Sequence, residues 1–455
     1  MSIIAENPAT GEVIKEYDEL TPEETKDAVR RSHEAYLEWK KTSFSERSRL
    51  MRKAADVLRE NLEEYSRLMT IEMGKPITQA RVETEKCAWV CEYYADNAEQ
   101  FLANETIDTE ASKSYVAYNP LGVVLAVMPW NFPFWQVFRF AAPGLMAGNT
   151  GILKHASNVP GSAVAIEDVF RKAGFPEYAF KTLLIGSRQV AAVIENPFVK
   201  AVTLTGSTPA GIAVAGKSGE MLKKTVLELG GSDPYIVLED ADLEETVLSC
   251  VSSRLINSGQ SCIAAKRFIV VEPLLEKFEE MYVEIMKSKK MGDPMQEDTE
   301  VGPQAREDLR DELHEQVVKS IEKGAKCLLG GEVPEGKGAF YPPTVLTGCK
   351  KGMPAYDEEL FGPVAGIIPV KDEDEAIKAA NDSIFGLGAA VFTRDTAKGE
   401  KIAAEMIEAG SCFVNSFVKS DPRLPFGGIK ESGYGRELSY FGIREFVNIK
   451  TVYVK

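Results

Sequence analysis

From about residue 115 onward, short apolar runs alternate with amphipathic segments, and this alternation constrains the fold more than any other feature. The first four runs are residues 123–128, 150–153, 182–185 and 201–204. Each is followed by turn or helix-capping residues, a rhythm typical of a parallel sheet whose strands are connected by helices. A fifth run at residues 234–238 begins a second series. The sequence therefore predicts two α/β domains with a boundary near residue 230.

The two ends of the chain have different patterns of apolar residues. Thr21, Pro22 and Glu24 form the signature of a capped helix start, because the threonine accepts from the first amides and the glutamate reaches back. Helix-forming residues continue to about Ala103 with apolar residues three and four positions apart, which predicts a helical layer. Residues 445–454 alternate as an exposed strand does, and such a strand tends to join another sheet.

The charge balance excludes several classes of partner. The chain has 455 residues, 69 of them acidic and 53 basic, so its net charge of −16 gives no general attraction to nucleic acid or to an anionic membrane. Residues 116–138 are uncharged and long enough to cross a bilayer, but Pro120, Pro129 and Pro133 favour a buried strand followed by a turn. The N-terminus lacks the features of a secretory signal, so we expect a cytoplasmic protein.

The cysteines and histidines narrow the chemistry further. Seven cysteines are an odd number and are spread along the chain, which favours reduced thiols over a disulfide framework. Cys87 and Cys91 have no second pair of cysteines or histidines at metal-ligand spacing, so we expect no metal. The three histidines fall in no nucleophile motif, which argues against histidine-based acid-base catalysis.

In three segments a reactive or polar side chain lies next to small residues, glycines or prolines, as in ligand-binding sites. Cys262 lies in a loop of small residues, 257–266, where a ligand can approach the backbone. Glu228 ends an apolar run before two glycines, at the predicted domain boundary, where clefts form. Asn131 lies within the rigid segment 129–133. Taken singly, each residue also has an ordinary structural explanation. Cys262 could be a buried core cysteine, Glu228 a surface carboxylate, and Asn131 the amide cap of a turn.

Taken together, these segments closely resemble the aldehyde dehydrogenase superfamily. Further motifs in family order are residues 7–12, 205–207, 358–364 and 425–437. The resemblance covers nearly the whole chain and implies an α/β fold with a Rossmann-like cofactor domain, an α/β catalytic domain and a small β oligomerisation element. The implied boundaries are residues 1–107 and 125–228 for the NAD(P)-binding domain, 229–436 for the catalytic domain, and 108–124 with 437–455 for the oligomerisation strands.

The resemblance also implies roles for the three candidate residues. The Cys262 thiolate attacks the aldehyde carbon, and the oxyanion is stabilised by the Asn131 amide and the backbone N–H of Cys262. Oxidation leaves a thioester, which is hydrolysed by water that Glu228 deprotonates. A non-catalytic family member is an alternative functional class, and the presence of Cys262, Glu228 and Asn131 argues against it.

An NAD(P) site is implied as well. Its expected residues are Trp130, Lys154, Ser157, Gly206, Ser207, Glu359 and Phe361. Ser207 contacts the pyrophosphate at a helix start, Glu359 holds the nicotinamide ribose, and Phe361 packs beside the ring. Lys154 and Ser157 meet the adenosine ribose, where many NAD-preferring relatives have a glutamate in place of Ser157. We therefore expect NADP to be preferred over NAD; the alternative is that Ser157 only caps the next helix and that both cofactors work.

One motif points to a rival enzyme class. Residues 211–218 match the spacing of the phosphate-binding loop of P-loop nucleotide triphosphatases letter for letter. A phosphate-binding loop must follow a strand directly, whereas the preceding strand has already ended at Thr205 and residues 212–215 are apolar helix formers. We therefore reject the P-loop interpretation.

Four residues are expected to bind substrate, namely Trp135, Arg139, Ser261 and Ser420. Arg139 is the sole charge among apolar neighbours, and a buried guanidinium needs an anion, either a structural carboxylate or the substrate. Succinate semialdehyde dehydrogenases have an arginine at this place that binds the distal carboxylate of the substrate. The resemblance thus implies oxidation of succinate semialdehyde to succinate by a homodimer or homotetramer, with a broad-specificity aliphatic or aromatic aldehyde dehydrogenase as the alternative.

Overall fold

The computed structural model describes residues 2–455. It begins with an antiparallel hairpin and a helical layer. These elements are β1 (Ser2–Asn7), β2 (Glu12–Asp18), α1 (Pro22–Trp39), α2 (Phe44–Glu60), α3 (Leu62–Met73) and α4 (Ile77–Phe101). The capping box predicted at the start of α1 is confirmed, because the Glu24 N–H donates to Thr21 Oγ1 at 3.2 Å and the Thr21 N–H donates to Glu24 Oε2 at 2.8 Å.

The first α/β series follows two short strands. The elements are β3 (Glu105–Thr106), β4 (Lys113–Pro120), β5 (Val123–Met128), α5 (Trp135–Met146), β6 (Thr150–His155), α6 (Pro160–Ala173), β7 (Phe180–Thr182), α7 (Val190–Glu195), β8 (Val199–Thr205), α8 (Thr208–Glu220) and β9 (Lys224–Glu228). Strands β5 to β9 are parallel, as predicted, and the structure places them in the order β9-β8-β5-β6-β7.

Strand β7 and helix α8 lie in segments for which the sequence made specific predictions. The strand expected at residues 182–185 is wrong in position, because β7 ends at Thr182 and the Ile185 N–H donates to the Leu183 carbonyl in a tight turn. Leu183 and Ile185 are buried all the same, so apolar composition alone could not locate the strand. Residues 211–218 lie inside α8 rather than in a loop, which confirms the rejection of the P-loop interpretation.

The second α/β series forms a seven-stranded sheet in the order β12-β13-β14-β11-β10-β15-β16, and its strands are parallel except β12. Its elements are β10 (Pro234–Val237), α9 (Leu243–Arg254), β11 (Arg267–Val271), α10 (Glu272–Ser288), α11 (Glu307–Glu322), β12 (Lys326–Leu329), β13 (Thr344–Thr347), α12 (Pro354–Asp357), β14 (Val364–Val370), α13 (Glu373–Asn381), β15 (Gly388–Phe392), α14 (Thr396–Lys401) and β16 (Ser411–Val414).

The C-terminal residues join two other sheets. They form β17 (Gly433–Tyr434), α15 (Ser439–Arg444) and β18 (Val447–Val454). Strand β17 pairs with β9 in the first sheet, although the sequence placed it with the catalytic domain. Strand β18 pairs antiparallel with β4 over eight residues, and β3 extends this small third sheet. Its pairing with a second copy of the chain stays a prediction.

The uncharged stretch 116–138 contains the end of β4, the buried strand β5 and the beginning of α5, as the proline pattern indicated. Across residues 2–455, every helix is too short or too polar to cross a membrane. The carboxyl ends of β5, β8 and β9 face the loop between α9 and β11, so the segments singled out in the sequence meet between the two large sheets.

Candidate active site

Cys262 lies in the loop between α9 and β11, whose backbone is tightly constrained. Residues 257–259 adopt left-handed conformations, with φ of +51°, +56° and +79°. A Cβ at Gly259 would lie 2.2 Å from the carbonyl carbon of Gly362, so only glycine fits there. The buried Lys266 ammonium donates to the carbonyls of Ser261 at 2.9 Å and Cys262 at 2.8 Å. These contacts hold the thiol at the wall of an open cavity.

The surroundings of Cys262 keep the thiol protonated in the resting protein. Burial raises its pKa to about 12, and the charges of Arg139 and Lys266 oppose this shift only in part. Cys87, Cys91 and Cys250 are fully buried in the cores, whereas Cys262 is partly exposed to the cavity. A thiol with this pKa must transfer its proton to a base before it can attack a carbon.

Glu228 ends β9 and is 2% exposed. Neither of its carboxyl oxygens has a hydrogen-bond partner within residues 2–455. Burial raises its pKa well above the usual range, and the neighbouring carboxylate of Glu437 raises it further. A Cβ at Gly427 would lie 2.7 Å from Glu228 Oε1, so this glycine leaves the room that the carboxyl occupies. A buried carboxyl with a raised pKa suits a general base that works near neutral pH.

Asn131 follows β5 and contacts the loop of Cys262 directly. Its Nδ2 donates to the Gln260 carbonyl at 3.2 Å, and Asn257 Nδ2 donates to the Asn131 carbonyl at 2.7 Å. Since an amide nitrogen has two N–H groups, a second donor remains beside the cysteine loop. The structure thus brings Asn131, Cys262 and Glu228 to one region between the sheets, as the sequence predicted, while their catalytic roles stay predictions.

The segment after Asn131 is anchored by two residues that the sequence reasoning missed. Glu83 of α4 accepts the N–H groups of Phe134 and Trp135 at 3.0 Å each and forms a buried ion pair with Lys75. Glu83 caps the beginning of α5 from another helix, so no local motif in the sequence could have indicated it.

Three residues expected to bind the cofactor, Trp130, Glu359 and Phe361, lie close together. The rings of Trp130 and Phe361 pack edge to face with centroids 5.7 Å apart. Glu359 accepts from the Gly231 N–H at 3.0 Å, and its carboxylate lies 3.3 Å from Lys266 Nζ. A Cβ at Gly230 would lie 2.5 Å from Glu359 Oε2, which explains why glycine stands at this position.

The side chains expected around the cofactor phosphates have few partners within the described chain. Ser207 is the N-cap residue of α8, and its exposed side chain makes no capping bond within residues 2–455. Lys154, near the end of β6, is half-buried, and burial lowers its pKa. Over the described chain, its ammonium has no carboxylate within 4.0 Å. Gly206, between β8 and Ser207, donates its N–H to the Glu228 carbonyl at 3.0 Å.

Ser157 does not cap α6, so the capping part of that alternative is wrong, while the use of both cofactors stays open to measurement. The N-cap residue of α6 is Val159, and the amides of Gly161 and Ser162 donate to Glu72 at 2.7 and 2.8 Å. The Ser157 side chain is exposed and available to a ligand.

The cavity beside Cys262 has a volume of about 770 Å³, and its walls include all four residues expected to bind substrate: Trp135, Arg139, Ser261 and Ser420. Trp135 and Ser420 are in contact, since Trp135 Nε1 donates to Ser420 Oγ at 3.1 Å. Arg139 is 2% exposed and forms a buried ion pair with Glu437. It also donates to Thr205 Oγ1 at 3.3 Å. The structural ion pair weighed for Arg139 therefore exists, and the guanidinium also borders the cavity.

A second cation of the cavity wall was missed by the sequence reasoning. Lys86 of α4 donates to Ser420 Oγ at 2.8 Å, and its Nζ lies 4.1 Å from the centroid of a Trp135 ring. A signal was present in α4, since Gln79, Glu83 and Lys86 are spaced three and four positions apart on one inward face.

Residues 2–452 match the aldehyde dehydrogenase family, and the chain belongs to that family. It is 50% identical over 454 residues to a protein of Synechocystis sp. named probable succinate-semialdehyde dehydrogenase (NADP+), with the full length of both chains covered. It is 50% identical to a succinate-semialdehyde dehydrogenase (NADP+) of Mycobacterium avium, covering 100% of this chain and 97% of that one. The crystal structure of succinic semialdehyde dehydrogenase from Streptococcus pyogenes in complex with NADP+ superposes with a TM-score of 0.97, at 40% identity and 99% coverage of each chain.

Proposed function

We propose that this chain oxidises succinate semialdehyde to succinate, with NADP+ preferred over NAD+ as cofactor. The observation that carries the proposal is one cavity whose walls include both the Cys262 thiol and the polar groups of Arg139 and Ser420. An aldehyde with a distal carboxylate has complementary groups at its two ends. The names of the relatives from Synechocystis sp. and Mycobacterium avium support the same substrate.

The proposed reaction begins when Cys262 gives up its proton to solvent in the open cavity and the thiolate sulfur bonds to the aldehyde carbon. Donors from Asn131 Nδ2 and the backbone N–H of Cys262 stabilise the resulting oxyanion, and loss of one such donor typically costs about 10²- to 10³-fold in rate. NADP+, when bound, supplies the acceptor for the hydride that leaves this carbon. The product on the enzyme is a thioester of Cys262.

Hydrolysis of the thioester is assigned to Glu228. Its carboxylate takes a proton from water, the hydroxide oxygen bonds to the thioester carbon, and the Cys262 sulfur leaves with the electron pair of the broken bond. Because both Glu228 oxygens lack a partner within residues 2–455, each is free to accept from water. The raised pKa of the Glu228 carboxyl makes its carboxylate a strong enough base for this step.

The cofactor preference is supported by charge and exposure. Lys154 supplies a half-buried positive charge, and the exposed Ser157 hydroxyl can donate to a phosphate oxygen. The open beginning of α8 at Gly206 and Ser207 suits the pyrophosphate, while Glu359 and Phe361 suit the nicotinamide end.

A second candidate function is oxidation of uncharged aldehydes with broad specificity. It is favoured by the ion pair between Arg139 and Glu437, which neutralises the guanidinium that a substrate carboxylate would otherwise bind. The two candidates are separated by comparing kcat/KM for succinate semialdehyde and butyraldehyde, each with NADP+ and NAD+. We expect the highest value for succinate semialdehyde with NADP+; equal values for both aldehydes would support the second candidate.

We also propose a cytoplasmic homodimer or homotetramer assembled through the third sheet. Strand β18 pairs on one side with β4, and the side chains of Ile449 and Tyr453 are 62% and 50% exposed. All seven cysteines are free thiols, in keeping with a reducing compartment. Sedimentation at micromolar concentration tests the assembly, and a monomer would contradict it.

A further inference from the structure

We infer that Lys86 binds the distal carboxylate of the substrate together with Ser420, and so selects semialdehydes that have a carboxylate over uncharged aldehydes. The inference rests on the proposed function and adds a residue to it. Lys86 lies on α4, outside every motif that indicated the site, and reaches the cavity through its contacts with Ser420 and Trp135.

The hydrogen bonds of Lys86 and Ser420 leave only donor groups free. Ser420 Oγ accepts from Lys86 Nζ at 2.8 Å and from Trp135 Nε1 at 3.1 Å, so both of its lone pairs are used. Its own O–H is left to donate. The Lys86 ammonium has three N–H groups and uses one of them on Ser420, which leaves two further donors. The group formed by Lys86 and Ser420 therefore offers donors only, and a carboxylate is an acceptor only.

Two other cations of the cavity wall are paired with carboxylates, whereas Lys86 has no such pair in the described chain. Arg139 is paired with Glu437, and Lys289 of the same cavity is paired with Glu300 at 2.8 Å. Within residues 2–455, no carboxylate oxygen lies within 4.0 Å of Lys86 Nζ. Lys86 is therefore a half-buried cation of the cavity wall that has no carboxylate partner among these residues. Its charge is left for a ligand to balance.

The acidic residues whose charges act on Lys86 have other partners. Glu83 is paired with Lys75, and Asp421 lies 2.7 Å from Arg423. Neither carboxylate is free to move onto Lys86 without leaving its own cation.

Burial supports the same interpretation. The charged form of Lys86 is disfavoured by its surroundings, which lower its pKa to about 8. A bound carboxylate would relieve this penalty, because an opposite charge favours the protonated ammonium. The charged and titratable groups that face Lys86 are Arg139, which opposes protonation, and Cys87, Glu83 and Asp421, which favour it.

The test is Lys86→Met in the full-length protein, with KM and kcat measured for succinate semialdehyde and butyraldehyde at saturating NADP+. Methionine keeps most of the length of the side chain and removes its charge. We expect KM for succinate semialdehyde to rise about 10- to 100-fold, as loss of a charge-assisted contact predicts, with butyraldehyde changing less than about 3-fold. Lys86→Arg should keep most of the preference.

Lys419→Met is the matched control, because Lys419 is an exposed cation on the wall of the same cavity. We expect it to change either KM less than about 3-fold. Equal losses on both aldehydes with Lys86→Met, or an equal selective loss with Lys419→Met, would overturn the inference. A wild-type enzyme without preference for succinate semialdehyde would refute the proposed function itself, which separates the two failures.

A second measurement uses only the wild-type protein and does not depend on folding of a variant. Since Lys86 loses its proton as pH rises through about 8, KM for succinate semialdehyde should increase above that pH while KM for butyraldehyde stays level. Parallel pH profiles for the two aldehydes would contradict the assignment of Lys86.

Discussion

Substitution of Ser157 by glutamate should turn the cofactor preference from NADP+ towards NAD+. Ser157 is exposed and does not cap α6, and Lys154 near the end of β6 is free of internal ion pairs within residues 2–455. In the proposed complex, these two side chains meet the 2′-phosphate. A carboxylate at position 157 would lie beside that phosphate and would also compete for the Lys154 ammonium.

The size of the effect follows from the exposure of Ser157. Two unit charges about 4 Å apart interact by about 1 kcal/mol in bulk water, so a doubly charged phosphate is repelled by about 2 kcal/mol. The lost hydroxyl donor adds about 1 kcal/mol. At about 1.4 kcal/mol for each factor of ten, Ser157→Glu should weaken NADP+ binding by about 30- to 150-fold. NAD+ has no 2′-phosphate, so its affinity should fall little or rise.

The assay is the dissociation constant of each cofactor by fluorescence titration at low and high salt. Ser157→Gln, which is similar in length but uncharged, is the matched control and should lose no more than about 10-fold for NADP+. Added salt should reduce the effect of Ser157→Glu, because exposed charges are screened. Equal weakening of NADP+ and NAD+, or no weakening of either, would refute the placement of the 2′-phosphate.

Two further predictions concern the buried charges. Arg139→Ala breaks the ion pair with Glu437 and leaves a buried carboxylate without a partner, so the free energy of unfolding in urea should fall by about 3–5 kcal/mol. Adding Glu437→Gln should restore much of this loss. An unchanged unfolding midpoint would show that the pair adds no stability. Burial raises the pKa of Glu228 well above the usual carboxyl range, so kcat should still increase with pH where an ordinary carboxyl is already fully ionised. A profile that is flat above that range would contradict its role as base.

Local patterns predicted local structure well. The capping box of α1 involves Thr21 and Glu24, three positions apart, and the structure confirms it. The parallel direction of β5, β6 and β8 also follows from the alternation of strands and helices. The same reasoning misplaced β7, because Leu183 and Ile185 are buried in a turn as fully as they would be in a strand.

Partners that are distant in sequence could not be predicted in the same way. Lys86 and Ser420 are separated by 334 positions, and nothing near either residue indicates the other. The carboxylate that pairs with Arg139 comes from Glu437, within a motif that the sequence associated only with the family. The motifs therefore indicated Cys262, Glu228 and Asn131, while the distribution of charge around them required the fold.

In the proposed mechanism, Cys262 forms a thioester with the substrate and Glu228 is needed to hydrolyse it. The most direct measurement is the intact mass of Glu228→Gln after mixing with succinate semialdehyde and NADP+, followed by peptide mapping. The expected result is one burst of NADPH per active site and an added succinyl group on Cys262, with steady-state turnover nearly abolished. A steady-state rate equal to that of the wild type, or an added group on any other residue, would contradict the claim.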